Sequence, residues 1–138
     1  MNKINWTRVL LGGLLAGLII NAFEFVTNGV VLASRWKTAM KALGLSMSGS
    51  ALIAFTILGF LSGITAVLLY ATARPRLGPG AKTAVLTGFV FWIIGYALPS
   101  FGFSAMGFLP KRLLLIGTIA GLVEVILASV AGAWLYKE

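Results

Sequence analysis

Four long apolar runs dominate this chain. They read as residues 8–32, 51–70, 84–105 and 113–135, each near the roughly 20 residues that a helix needs to cross a bilayer core. Only a few short segments separate them. A water-soluble domain of 138 residues has too little interior to hide so much apolar surface, at 59% hydrophobic and 10% charged residues. Soluble domains carry roughly 25% charged residues. The expectation is an all-α membrane protein. It would be a single domain, 1–138, folded as a four-transmembrane-helix bundle.

The segments between the runs have their own signals. Residues 33–50 contain Trp36, Met40 and Leu43 at helical spacing, with Lys37 and Lys41 displaced to another face. That spacing predicts a short interfacial amphipathic helix between spans one and two. Arg74 to Thr83, RPRLGPGAKT, predicts a tight turn built on two prolines and two glycines. Leu109 to Arg112 forms the last connection. Pro99 falls inside the third run and predicts a kink or local break there. Lys3 and Arg8 precede the first run, as in a signal peptide. The run is too long for one, and no small-residue cleavage site lies near Asn21.

The formal charge of +8 would suggest nucleic acid in a soluble protein. Here the basic residues lie between apolar runs, where they meet lipid phosphates, and no nucleic-acid-binding pattern is present. Lys3, Arg8, Arg74, Arg76, Lys82 and Lys137 would share one membrane face. Arg35, Lys37, Lys41, Lys111 and Arg112 would share the other. Six against five orients the chain weakly. The dense RPRLGPGAK loop favours cytoplasmic termini in a multi-pass protein of a bacterial inner membrane.

Cysteine and histidine are absent, and every acidic residue is a glutamate: Glu24, Glu124 and Glu138. This removes thiol chemistry, the usual metal ligands and the commonest general base. No metal, no cofactor and no enzymatic activity are expected. GPGAKT at 78–83 lacks the Gly-Lys pair and the soluble strand and helix of a phosphate loop.

Two glutamates within apolar runs are the candidates for function. Gly13, Gly17, Asn21, Glu24 and Asn28 fall within roughly 80° of helical arc. This stripe must face other helices, because an unpaired polar group costs several kcal/mol in hydrocarbon. Glu24 sits about 6 Å past the middle of its run, at 1.5 Å per residue. Gly117, Gly121, Glu124, Ala128 and Ala131 form a second stripe, with Glu124 near its run's middle. The two carboxyls can share a depth. No basic side chain lies within the runs to neutralise them, so a retained proton is the expected response. Asn21 and Asn28, and from the third run Thr87, Tyr96 or Ser100, are the candidate partners. The alternative is structural: a protonated Glu can cross-link helices as Asn does. Asn28 could instead cap its helix end together with Gly29.

Gly13/Gly17, Gly59/Gly63 and Gly117/Gly121 are small-xxx-small pairs that allow close helix approach. The contacts could be within one chain, in a homo-oligomer, or with other membrane subunits.

At Trp36 to Ser46, WKTAMKALGLS, and in RPRLGPGAKTA after the second run, the chain resembles uncharacterised small four-helix bacterial membrane proteins. That resemblance implies a fold and no activity. A glutamate in the first helix of a small four-helix protein is also similar to the small multidrug-resistance exporters, although the third helix and loops here differ from theirs. The leading expectation is a small transporter coupled to protons or cations through its intramembrane carboxylates. The alternative is a non-catalytic accessory subunit of a larger membrane complex.

Overall fold

A computed structural model describes residues 3–136, so Lys137 and Glu138 lie outside the described residues. Five helices account for most of the chain: α1 (Trp6–Val31), α2 (Ala33–Ala42), α3 (Gly49–Leu77), α4 (Ala81–Met106) and α5 (Lys111–Leu135). All but α2 are long and apolar enough to span a membrane. The short helix stands where amphipathic spacing places it.

Local chemistry sets the ends. The Asn5 side chain accepts from the Arg8 amide at 3.1 Å and opens α1. Ser48 does the same for α3 through the Ala51 amide at 3.2 Å. Gly107, at φ 77°, closes α4 in the left-handed conformation that glycine adopts without strain.

The second span runs past the expected end at Tyr70 to Leu77, so the turn shrinks to Gly78–Gly80. Pro75 is tolerated because it falls in the last turn, where a lost amide costs one hydrogen bond and nothing follows to be kinked. Two hydroxyls staple the turn. Tyr70 accepts from the Gly80 amide at 3.0 Å, and Thr83 donates to the Gly78 carbonyl at 2.8 Å.

Pro99 does not break the third span. A wide π turn at Ile93–Ala97 precedes it, and the Leu98 amide reaches back five residues to the Ile93 carbonyl. The wider turn carries the backbone around the proline ring without a clash one turn back. A second π turn, Thr27–Val31, ends α1, with the Leu32 amide donating to Thr27 at 2.8 Å.

Helix α1 lies between α3 and α5, and α4 packs on α5 and α3. The α1–α3 seam is built on glycine. A Cβ on Gly63 would lie 2.5 Å from the Gly13 carbonyl and closer still to the Gly17 amide. A Cβ on Gly13 would meet Ile64 at 2.6 Å, and one on Gly17 would meet Phe60 at 2.7 Å. The α1–α5 seam uses Gly12, Ala16 and Gly132, three small residues that the paired-glycine motifs do not include. Gly117 departs from expectation: nothing lies within 4 Å of where its Cβ would be, so no close helix approach requires glycine there.

Packing is uneven along the bundle. At the end holding Asn5 and Tyr136, Val9, Val67, Tyr70, Ala133 and Tyr136 form a buried cluster. Tyr136 accepts from the Asn5 amide at 3.1 Å and stands edge-on to Tyr70. Arg74 lies over its ring. Towards the other end, Ile93–Met106 of α4 buries no residue completely. There α2 docks through Leu32, Trp36 and Ala39 against Leu109, Leu113 and Ile116.

Candidate functional site: a carboxyl–phenol cluster

The five-residue stripe on α1 divides between two neighbours. Gly13, Gly17 and Asn21 face α3. Asn21 donates to the Gly17 carbonyl at 3.0 Å and to the Thr56 carbonyl at 3.2 Å, and its amide covers Gly59. It is a helix tie and takes no part in a carboxyl site. The reason lies in the arc: about 80° of one helix is wide enough to touch two neighbours. Glu24 instead continues the four-residue row of Gly12, Ala16 and Ile20, the row that reaches α5.

That row brings Glu24 to Glu124. Glu124 is 1% exposed on α5. The two carboxyls lie at interaction distance from one another. Tyr96, from the π turn of α4, stands between them. Its hydroxyl donates to Glu124 Oε1 at 2.7 Å, and Glu24 Oε1 lies 3.4 Å from the same oxygen. A phenol has one hydrogen to give, so it bonds one carboxyl fully and leaves the other to find a proton elsewhere. Gly121 makes this geometry possible. The Tyr96 ring lies directly across it, in space that any Cβ would occupy.

Asn28 extends the cluster. Its amide nitrogen donates to Glu24 Oε2, and its carbonyl oxygen accepts from the Trp36 indole at 2.8 Å. It is therefore a bridge and not a helix cap. A continuous chain runs from Trp36 on α2 through Asn28, Glu24 and Tyr96 to Glu124. Both π turns adjoin it, one carrying Asn28 and the other Tyr96. Sequence reasoning places Trp36 only on an amphipathic face; nothing in its spacing points to the indole N–H.

The other α4 candidates divide. Thr87 is buried and donates only to carbonyls of its own helix, Thr83 at 3.0 Å and Ala84 at 3.2 Å. Ser100 lies one turn beyond Tyr96 and pairs with Thr118 at 2.7 Å. This pair lines a groove of about 340 Å³ that also reaches Ser104 and Lys111. Polar groups thus lead from the α2 end of the bundle to within one helical turn of Tyr96. No group of three or more potential metal ligands occurs among the described residues.

The Trp36 link has a measurable energy. In a double-mutant cycle, W36F and N28A should be non-additive by about 0.5–1.5 kcal/mol of unfolding free energy, the net worth of one hydrogen bond. Strict additivity in mixed-micelle denaturation would refute the bridge.

Fold and site together define a four-helix bundle of membrane-span dimensions enclosing a carboxyl–phenol–carboxyl cluster. The chain matches no protein-family model, no curated protein and no solved structure.

Proposed function

We propose that this protein is a small multi-pass transporter of a bacterial cytoplasmic membrane, with its termini inside. Its transport step is coupled to binding and release of a proton at Glu24, Tyr96 and Glu124. The observation that supports this most is the single phenol hydroxyl shared between two carboxyls. Two carboxylates side by side in apolar surroundings repel strongly, and one added proton turns that repulsion into a hydrogen bond. The cluster thus has two states that differ by a proton.

The test has two arms. A pH step applied to the protein in lipid should produce an infrared carboxyl difference band, lost in E24Q and in E124Q. In proteoliposomes, pH-driven flux of ethidium, a lipophilic cation probe, should fall to the protein-free level in both variants. Unchanged flux in both would end the transport reading.

A second reading is a non-catalytic accessory subunit of a larger membrane complex. It draws on the uncovered second half of α4, where no residue of Leu98–Met106 is buried. In that case the cluster serves as a hydrogen-bonded strut. A native gel in mild detergent separates the two: a large co-migrating assembly supports the subunit reading, and a single small species argues against it.

A further inference from the structure

At the end of the bundle away from Tyr136, α2 and the α4–α5 connection form the two sides of an open groove of about 660 Å³. This is within the range of small-molecule sites. Its polar wall carries Arg35 from α2, Arg112 from α5 and Ser34. Its apolar wall is Phe108, Leu109 and Leu113.

The charge in this groove is unbalanced. The carboxylates among the described residues are Glu24 and Glu124, both inside the bundle and engaged with Tyr96. Neither forms an ion pair with Arg35 or Arg112. Two exposed guanidinium groups therefore line one groove without a counter-ion from the described residues. Each arginine also falls in the first turn of its helix, the end at which the backbone dipole disfavours a cation. An anion bound by both would offset that penalty.

Arginine forks match tetrahedral oxyanions, binding two oxygens at once. Ser34 adds a neutral donor. The apolar wall beside these groups has no use for a free inorganic ion and suits the glycerol and upper acyl carbons of a lipid. We propose that this groove binds a phosphate group, that of an anionic phospholipid headgroup, and that this ligand holds α2 on the bundle.

Native mass spectrometry of the full chain in neutral detergent, titrated with phosphatidylglycerol, tests this. One lipid should be retained. R35Q/R112Q should bind about 100-fold more weakly, at about tenfold for each charge-assisted arginine–phosphate interaction removed. K37Q/K41Q removes the same charge from α2 outside the groove and should bind as the unchanged protein does. Circular dichroism and gel filtration confirm that both variants fold. Competition with millimolar inorganic phosphate distinguishes the source: retention of the lipid supports the headgroup, whereas full displacement overturns the lipid assignment in favour of free phosphate. Undiminished lipid binding in R35Q/R112Q, or an equal loss in K37Q/K41Q, overturns the site itself.

Discussion

Gly63→Ala should destabilise the bundle by about 3 kcal/mol, at the upper end of the usual cost of overpacking. The neighbours of Gly63 are backbone atoms of α1, the Gly13 carbonyl and the Gly17 amide. Backbone inside a helix cannot rotate aside as a side chain can, so the methyl must push α1 and α3 apart. That separation would also loosen Gly13 on Ile64 and Gly17 on Phe60. Gly95→Ala is the matched control. A Cβ there meets only the Phe91 ring of its own helix, at 3.6 Å or beyond, and alanine is the better helix former. Denaturant titration in mixed micelles, followed by circular dichroism, measures both. If Gly63→Ala costs no more than Gly95→Ala, the helices do not approach this closely.

Tyr96→Phe should abolish proton-driven flux as completely as replacement of both glutamates, while leaving the bundle folded. The variant keeps its ring on Gly121 and loses only the oxygen that bonds Glu124 at 2.7 Å. Glu124 is then buried without that donor, at a cost of about 1–3 kcal/mol. Gly121→Ala provides an independent route to the same result. It leaves all three functional groups in the chain and moves Tyr96 off α5. Infrared carboxyl bands should shift in both variants. Normal flux in Tyr96→Phe would reduce the phenol to packing and leave the carboxyls to act alone.

The number of apolar spans, the short amphipathic helix and the inward placement of Glu24, Asn28 and Glu124 are legible in the sequence because each rests on local pattern. Apolar length, helical spacing and an acid in an apolar run need no knowledge of neighbours. What is not legible depends on how helices turn towards each other. Asn21 and Glu24 share a stripe, yet they serve different partners because α1 touches two helices. Gly117 and Gly121 look alike, yet one is open and the other carries the Tyr96 ring. Tyr96 is one of three polar candidates on α4. The π turn that aims it leaves no mark in the sequence except Pro99 a few residues on. Trp36 reads as an apolar ring, and the structure uses its N–H.

The distances along the chain within the cluster set an order of synthesis. Glu24 precedes Tyr96 by 72 residues, and Glu124 follows Tyr96 by 28. At about 5–20 residues per second, Glu24 waits roughly 4–14 s for its phenol and longer for its fellow carboxyl. Asn28, four residues on, follows it almost at once. The bond between them needs only one turn of α1 and none of the later helices. Asn28 is thus the one partner of Glu24 in the cluster that α1 itself supplies.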